Sequence, residues 1–423
     1  MSAIRGLPSE LNFDRSSWQV VKFGDVAIQQ KKSVDRENTH VGRYVKGEHM
    51  SSEDLHLREW GELKDEYLGP AFIRYFEKGD LLYGSRRTYL RKVTIAPFEG
   101  ITSNTTFVIK ANESIIDKRL LPYVMLSEGF SQHSIRNSKG SVNPYVNWKD
   151  LAKYEFRLPP MTLQMEVADL LWTKDKLIQN YKRLLEKANC HYLATKNRLV
   201  LKGSGCQHRF SESLKQDLAN GWCDTNIGDL LARGFIDEVQ DGNHGDIHPK
   251  STDYSERGIP FVMANCLHNG AIVFDKTKKL PKEKTDRLRI GFAKSGDVLL
   301  SHKGTVGEVA LVPENIEWPY LMLTPQVTYY RVNSKKLASC FLYYVFTSSY
   351  FQNQLRRQSS QSTRAYVGIT AQKKLKIAIP EDMHEQLKVV ELLSVAEQNL
   401  SAIRKQIDTS LSLIHISEPT RPY

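Results

Sequence analysis

Two kinds of hydrophobic pattern alternate along this chain of 423 residues. Short apolar runs bounded by Gly, Pro or Asn, such as 105–110, 297–300 and 326–331, predict β-strands. Longer stretches in which apolar residues recur at helical spacing lie at 120–137 and 337–358. This mixture predicts an α+β fold in which helices and sheets build each core together.

Heptad spacing of apolar residues predicts two long helices. In the first helix, two adjacent rows recur every seven residues, namely Leu163, Leu170, Leu177 and Leu184, and Leu171, Ile178, Leu185, Tyr192 and Leu199. In the second helix, the rows are Leu393, Leu400 and Ile407, and Val389, Ala396 and Ile403. A helix of about 38 residues is ~57 Å long, which is more than a link between two domains requires. We therefore predict that the helices pair as a spacer, although each alone could pack only on its own domain.

The sequence also repeats itself over most of its length, which indicates two homologous domains. KGDLLYGSRRT from Lys78 matches SGDVLLSHKGT from Ser295. Further on, FSQHSIRNSKGSVNPYV from Phe130 matches YFQNQLRRQSSQSTRAYV from Tyr350. The matches keep their order while the spacing widens, so the second copy has longer loops. The two copies share only scattered positions, which predicts related folds with different surface chemistry.

Each copy ends at a proline and leads into one of the long helices, whose openings match at Gln164 and Gln386. These landmarks predict a first domain at 1–158, a first long helix at 159–202, a second domain at 203–379, a second long helix at 380–410 and a tail at 411–423.

The tail, LSLIHISEPTRPY from Leu411, does not continue the heptad pattern. It looks like the translation of a sequencing-transposon adapter, so we expect the natural sequence to depart from this one near Ser410. The second long helix would then be truncated. A genuine short tail is the alternative.

Charge favours a polyanionic partner. The chain has 59 Lys and Arg against 48 Asp and Glu, a net charge of +11, which is typical of nucleic-acid binding, although simple solubility is the alternative. The N-terminal stretch is polar and no apolar run is long enough to span a membrane, so we expect a cytoplasmic protein with no membrane partner. The five cysteines form no CxxC pair, which predicts reduced thiols and no metal site.

Known catalytic motifs are missing from the sequence. There is no GxxxxGK[ST] loop, no HExxH and no Gly-x-Ser-x-Gly. Asn143-Pro144-Tyr145 comes nearest to an adenine-methylase signature but lacks its second proline. We therefore predict that this chain catalyses no reaction and binds no cofactor.

Basic residues interleaved with aromatic and amide residues stand at equivalent places in the two copies, and such side chains contact phosphates and base edges. In the first copy the candidate DNA-binding residues are Arg86, Arg87, Tyr89, Arg91, Lys92, Lys139, Ser141, Asn143 and Tyr145. In the second copy they are His302, Lys303, Thr305, Arg357, Gln358, Gln361, Ser362, Arg364 and Tyr366. For any one of them a solvated surface residue is the alternative.

The order of domain, long helix, domain and long helix resembles the specificity subunits of type I restriction-modification enzymes over essentially the whole chain. The local matches are HLREWG from His56, YGSRRTYLRKV from Tyr83 and GDVLLSHKGT from Gly296, together with the proline-led helix openings before Gln164 and Gln386. The resemblance implies two target-recognition domains, each reading one half of a split site in double-stranded DNA. It also implies long helices that pair as an antiparallel coiled coil.

The same resemblance implies the partners and their cofactors. The helices would dock two methyltransferase subunits, which carry S-adenosylmethionine and methylate adenine. Separate restriction subunits would use ATP and Mg to translocate and cut DNA. Three alternatives remain open at this point: a specificity partner of a type II restriction-modification system, a non-catalytic protein-binding scaffold, and a fused enzyme that methylates and cuts.

Overall fold

The computed structural model describes residues 16–35, 40–65, 67–244, 248–360 and 365–412. The chain forms two compact units. The first comprises Met1–Lys182 with Lys405–Tyr423, and the second comprises Arg183–Arg404. Within the predicted tail, helix continues through Ser412, and 413–423 lie outside the described residues.

The first unit is built from short strands and short helices that lead into one long helix. Its strands are β1 (Gln19–Lys22), β2 (Ala27–Gln30), β3 (Arg43–Val45), β4 (Gly61–Glu62), β5 (Phe72–Phe76), β6 (Leu81–Gly84), β7 (Val93–Ile95), β8 (Gly100–Ser103), β9 (Thr106–Ala111) and β10 (Glu155–Leu158). Its helices are α1 (Phe23–Val26), α2 (Leu121–Leu126), α3 (Glu128–Arg136), α4 (Trp148–Leu151) and the long α5 (Met161–Lys202), which continues into the second unit.

The second unit follows the same plan with more strands. They are β11 (His208–Ser211), β12 (Gln216–Ala219), β13 (Cys223–Asn226), β14 (Ile236–Asp241), β15 (Ile259–Val262), β16 (Leu267–His268), β17 (Ala271–Ile272), β18 (Lys278–Leu280), β19 (Phe292–Ala293), β20 (Val298–Lys303), β21 (Thr305–Leu311), β22 (Leu321–Leu323), β23 (Val327–Val332) and β24 (Lys376–Ile379). The helices are α6 (Ile227–Ala232), α7 (Lys282–Thr285), α8 (Ser339–Phe346), α9 (Ser349–Ser359), α10 (Ile369–Lys373) and α11 (Met383–Ser412).

Sheet topology confirms the internal repeat. The order β2-β9-β6-β7 in the first unit corresponds to β14-β23-β20-β21 in the second, and β4-β3-β8-β5 corresponds to β18-β15-β22-β19. Each second sheet contains one parallel pair, β3 with β8 and β15 with β22. A two-stranded ribbon, β1-β10 or β13-β24, closes each domain just before its long helix. The predicted strands at 105–110, 297–300 and 326–331 correspond to β9, β20 and β23.

The predicted helices at 120–137 and 337–358 are each two helices. The first is interrupted at Ser127, between α2 and α3, and the second at Ser348, between α8 and α9. Both serines have extended backbone conformations, and the Ser127 hydroxyl accepts a hydrogen bond from the Phe130 N–H, as an N-terminal cap does. Apolar spacing continued across these breaks and therefore concealed them.

The two ends of α5 belong to different cores. Near its start, Ala168 is buried in the main core of the first unit with Phe23, Leu121 and Phe130. Near its end, 199–201 are buried in the core of the second unit, which also contains Val389 and Leu393 of α11. Burying one such side chain fully contributes about 1.5–3 kcal/mol. The long helix is therefore an integral part of each domain core and not only a link.

A buried glutamine fixes the start of each long helix in the same way. The Gln164 side chain accepts a hydrogen bond from the Asp117 N–H and donates to the carbonyls of Ile115 and Pro159. The Gln386 side chain accepts from the Ala338 N–H and donates to Lys336 and Pro380. Each amide therefore links the chain before the helix to the helix itself, which explains the match at the two helix openings.

Within the second unit, the end of α5 and most of α11 pair antiparallel. Tyr192 donates a hydrogen bond to Glu397, and Arg404 donates to Asn189 at 3.3 Å. The chain just after α5 reaches back to the start of α11, where the Ser204 N–H donates to Glu385 at 3.2 Å. Residues later in α5 therefore contact residues earlier in α11, as the predicted antiparallel coiled coil requires.

One heptad row is not in the helix packing. Leu170, Leu177 and Leu184 are 56%, 45% and 48% exposed, so the prediction that this row pairs the helices is corrected. The adjacent row is the one that turns inward, with Leu171 against the first core, Ile178 buried and Leu185 half-buried. On α11, Leu393, Leu400 and Ile407 are all buried. A helix packs on one stripe, and spacing alone left two adjacent stripes to choose from.

Two further features bear on function. No helix in the described ranges has both the length and the apolar character needed to cross a membrane. Across the same ranges, His, Cys, Asp and Glu side chains nowhere gather in a group of three or more that could hold a metal ion. All five cysteines are free thiols.

Candidate nucleic-acid interface

In the first unit, two separate loops meet beyond the end of β6. The Arg87 N–H donates to the Pro144 carbonyl at 2.7 Å, and the Val146 N–H donates to the Ser85 carbonyl at 3.0 Å. Lys139 and Tyr145 exchange backbone hydrogen bonds of 2.8 and 2.9 Å. The two candidate clusters of the first copy, which are about 50 residues apart in the sequence, therefore form one surface.

Side-chain contacts stabilise this junction. The Arg87 Nε donates to Asn143 Oδ1 at 3.0 Å, and the hydroxyls of Thr88 and Ser138 lie 2.9 Å apart. Arg87 has a left-handed backbone with a φ of 50°, which turns the chain into the single 3-10 turn that follows. Gly140 takes a φ of 92°, a conformation that side chains disfavour.

Most candidates of the first copy lie on this surface, which we call the first patch. Its exposed members are Arg86, Arg87, Tyr89, Lys139, Ser141, Asn143 and Tyr145. The apolar Val142, at the tip of the second loop, is 84% exposed and was not predicted. A lone valine between polar residues in a glycine- and proline-bounded loop is the signal that could have identified it.

Arg91 and Lys92 are corrections to the predicted set. The Arg91 guanidinium pairs with Glu53 at 2.9 Å and Glu128 at 3.0 Å, and it also donates to the Leu126 carbonyl. The Lys92 ammonium donates to the Gly47 carbonyl at 2.6 Å. Both cations therefore have partners within the first domain, and neither is fully exposed.

The second unit forms the equivalent junction beyond β20. The Val367 N–H donates to the His302 carbonyl at 3.0 Å, and the Gly304 N–H donates to Ala365 at 3.2 Å. Lys303 and Tyr366 form a single antiparallel bridge, just as Arg86 and Tyr145 do in the first unit. Each unit therefore carries a half-exposed tyrosine beside a cation at the end of the corresponding strand.

The second patch comprises the exposed candidates of the second copy, with partly exposed Gln358 beside them. Its members are Lys303, Thr305, Arg357, Gln358 and Tyr366. Gln361, Ser362 and Arg364 lie outside the described residues. Gly304 has a left-handed conformation with a φ of 79°, and no heavy atom of the described residues lies within 4 Å of a Cβ placed there, so those residues leave its backbone open to another molecule.

His302 is a further correction, since its side chain is only 1% exposed. Its Nε2 lies 3.1 Å from the Pro325 carbonyl, and its Nδ1 lies 2.7 Å from the Thr328 hydroxyl, which is itself 2.6 Å from Asp241. Burial lowers the pKa of His302, against the opposing charge of Asp241. The neutral ring packs edge-on against Tyr366 and so supports the patch from beneath.

Most of the cations in the two patches have no carboxylate partner among the described residues. Among the described residues, no carboxylate lies within ion-pair distance of Arg86, Arg87, Lys303 or Arg357, whereas Lys139 has Asp150 at 3.5 Å. Cations without internal partners, next to hydroxyl, amide and aromatic side chains, suit contacts to phosphates and base edges. The arrangement offers binding groups and no catalytic constellation.

Comparison with known proteins agrees with this geometry. The family described as type I restriction modification DNA specificity domain matches the chain twice, over residues 15–189 and 233–413, which is most of its length. The chain belongs to this family of type I specificity subunits.

Two curated relatives show how far the sequence similarity extends. The specificity subunit of the type I restriction enzyme MjaVIII, from Methanocaldococcus jannaschii, is 23% identical over 73% of this chain and 70% of its own length. The specificity subunit of the type I enzyme EcoDI, from Escherichia coli, is 26% identical over 36% of this chain and 33% of its own length.

Two solved structures share the fold. One comes from a study of complex assembly and conformational transition of the type I system, with a TM-score of 0.58, 18% identity and coverage of 95% of this chain and 96% of that one. The other is the type I S subunit from M. genitalium, with a TM-score of 0.55, 12% identity and coverage of 96% of both chains. At these identities the likeness shows the fold alone.

The HLREWG motif of this specificity subunit anchors the first domain to α5. His56 Nε2 lies 2.7 Å from Asp175 Oδ2, and Arg58 donates to Gln179. Asp54 pairs with Arg58 at 2.7 Å and with Lys182 at 3.2 Å. Burial raises the pKa of Asp54, but hydrogen bonds from His56 and Arg58 and the charge of Lys182 outweigh burial and lower it overall. The motif is structural and contributes nothing to the first patch.

The repeated Gly-Asp of the specificity subunit is structural as well. The Asp80 carboxylate accepts from the Glu77 N–H, and the Asp297 carboxylate accepts from the Lys294 N–H, each at 2.8 Å, in the turn before β6 or β20. The Arg331 guanidinium also donates two hydrogen bonds, of 3.0 and 2.7 Å, to the Asp297 carboxylate. Burial raises the pKa of Asp297 even though the Arg331 hydrogen bonds oppose it. These turns fix the start of β6 and β20, the two strands that end at the patches.

Proposed function

We propose that this specificity subunit binds double-stranded DNA through its two patches, one half-site per domain, and catalyses no reaction itself. The observation that carries the proposal is the repeated junction, a cation and a bridging tyrosine at the end of β6 and again at the end of β20. A chance surface cluster would not recur at the same point of the same topology in both domains.

The side chains of the two patches differ, which favours two unlike half-sites. The first patch offers two arginines, Asn143 and the apolar Val142, which suit guanine, adenine and the thymine methyl group respectively. The second offers Lys303, Thr305 and Gln358 around the open backbone of Gly304. Shared cations would contribute non-specific phosphate binding, and the differing side chains would supply the sequence preference.

The exposed row on α5 supports docking of partner subunits. Leu170, Leu177 and Leu184 stand at heptad spacing on one face, where they can pack against another helix. We assign this face to the methyltransferase subunits. S-adenosylmethionine would be bound by those subunits, and ATP and Mg by separate restriction subunits.

The test is reconstitution of the complex. The full chain is co-expressed with a candidate type I methyltransferase subunit from the same organism, and methylated adenines are mapped across the genome of the expression host. We expect a split motif with two unlike halves. A complex that assembles but leaves no methylated motif would contradict DNA reading by this subunit.

A second arm separates docking from DNA reading. Replacing Leu170, Leu177 and Leu184 together with serine should prevent copurification of the methyltransferase while DNA binding by the purified subunit persists. The matched control replaces three exposed polar residues of α5, Lys176, Lys187 and Asn180, with serine. Unchanged copurification of the leucine variant would contradict the assigned face.

A further inference from the structure

A cleft of about 790 Å³ lies inside the second unit, away from the contacts that define the second patch. Its walls are the end of α5, the helices α8 and α11, and β21, and the turn between β16 and β17 closes one side. The cleft is neither a fully apolar core defect nor a flat surface, since apolar and charged side chains line it together.

One carboxylate in the cleft is already satisfied. Glu397 accepts hydrogen bonds from the hydroxyls of Tyr192 and Tyr344, on two different helices. Burial and the Glu397 carboxylate both raise the pKa of each tyrosine, so the two hydroxyls keep their protons and remain donors. The Glu397 carboxylate is therefore hydrogen-bonded by the two tyrosines, and it acts on Lys196 only through its charge.

Lys196, by contrast, is a cation without a partner. Its side chain lines the cleft and is only 6% exposed, yet no described residue offers it a hydrogen-bond acceptor or a carboxylate within 4.0 Å. The Lys196 ammonium lies over the Tyr192 ring, 5.2 Å from its centroid. Burial lowers the pKa of Lys196, and the charge of Glu397 offsets this only in part. Burial of the ammonium is unfavourable, and an anion bound in the cleft would offset part of this penalty.

A second cation borders the same cleft. The Arg404 guanidinium is held toward Asn189 by a hydrogen bond of 3.3 Å, and no described carboxylate pairs with it. Glu308 also lines the cleft, and Leu193 and Tyr343 present apolar and aromatic surface beside the two cations. The cleft therefore joins a cationic end to a wall that suits a planar or apolar body.

We propose that this cleft binds the oxyanion of a small molecule, a phosphate or a carboxylate, with Lys196 and Arg404 as its ligands. The neighbouring tyrosines and Leu193 would contact the body that carries the anionic group. Binding would join β21 and α8 to the helix pair and so stabilise the second domain where it packs on α5 and α11. The site is independent of DNA binding, because it uses none of the residues of the second patch.

Three probes test the site on the full chain: inorganic phosphate, AMP and benzoate. Thermal unfolding and calorimetry should detect at least one of them, with affinity at least about tenfold weaker in Lys196→Met. The methionine variant should fold at least as stably as the parent, because it removes an unpaired buried charge and keeps the chain length of the side chain. Lys187→Met, an exposed lysine on the same helix, is the control and should bind like the parent.

A chemical readout locates the binding on the unaltered chain. Amine acylation followed by mass spectrometry should show Lys196 protected by the bound probe and Lys187 unprotected. Binding of phosphate alone identifies a simple anion site, whereas tighter binding of AMP or benzoate identifies a larger phosphorylated or carboxylated ligand. If no probe binds up to about 10 mM, or if binding survives in Lys196→Met, the proposal is wrong.

Discussion

Arg87 follows β6 and Lys303 is the last residue of β20, and an exposed lysine precedes each strand, so the two patches can be tested with matched controls. Arg87→Ala and Lys303→Ala should each weaken DNA binding. Each should also lower the slope of log affinity against log salt concentration by about one, because each variant loses one cation that can contact a DNA phosphate. The measurement is a binding titration at several salt concentrations.

The matched controls are Lys78→Ala and Lys294→Ala, which change exposed lysines just before β6 and β20. These variants carry the same loss of net charge at the far end of the same strands. We expect them to keep the affinity and salt slope of the parent. Equal losses in controls and patch variants would mean that general positive charge, and not the patches, binds DNA.

His302 gives a prediction that depends on pH. Burial lowers the pKa of His302 in the folded chain below the ordinary value of 6.5. When the pH falls below 6.5, this histidine is therefore protonated in the unfolded chain but not yet in the folded chain. The contribution of neutral His302 to the free energy of unfolding should therefore be fully present above pH 6.5 and decline below it. Unfolding free energies measured from about pH 7.5 to 5 should decline less steeply in His302→Gln than in the parent. Identical slopes would show that another group causes the decline.

At this scale the sequence predicted residue types better than residue roles. Basic and aromatic composition identified Arg86, Arg87 and Tyr145, which the structure leaves exposed. The same signal selected Arg91, whose partners Glu53 and Glu128 lie far away in the chain and come close only through folding. A cation is available for DNA only when the fold gives it no internal partner, and sequence order does not contain that information.

Between elements, the two buried glutamines should contribute equally to their own domains. Gln164→Ala and Gln386→Ala each leave one backbone N–H and two carbonyls without their side-chain partner. A buried group left unsatisfied costs about 1–3 kcal/mol, so we expect a loss of that size in the free energy of unfolding of each variant. Chemical denaturation of the full chain measures it.

The control for both glutamines is Gln207→Ala, which changes an exposed glutamine in the segment after α5. It should alter stability by less than about 0.5 kcal/mol. A loss of that small size in Gln386→Ala would show that water replaces the amide at the start of α11. The two helix openings would then match for a reason other than these hydrogen bonds.

The sequence predicted where the helices and strands lie, but it did not predict which face of a long helix turns inward. Heptad spacing correctly located both long helices, and the strand predictions fall on β9, β20 and β23. Spacing could not decide which of two adjacent leucine rows turns inward, because that depends on the surface each domain offers to α5. It also missed the breaks at Ser127 and Ser348, where the backbone turns extended and, at Ser127, the side chain caps the helix that follows.

For the whole molecule, the internal repeat was the most informative feature of the sequence, because matching blocks in the same order require matching topology. The repeat could not show whether a given matching block has a structural role or a binding role. The Gly-Asp that opens the best-matched block proved to be a structural turn, whereas the two patches share little beyond a cation and a bridging tyrosine. The fold requires the turn in both domains, while different half-sites would require different loops.

We also predict that the length of α5 sets the gap between the two half-sites. Deleting the seven residues 183–189, one heptad, removes two helical turns, or about 10 Å, and keeps each face of the helix nearly in place. In the reconstituted complex, the gap between the half-sites should shorten by about three base pairs while both half-sites stay unchanged, because each base pair adds about 3.4 Å. Replacing the same seven residues with alanine keeps the length and should keep the gap. Methylation mapping that finds an unchanged gap in the deletion variant would mean that the helix does not set the spacing.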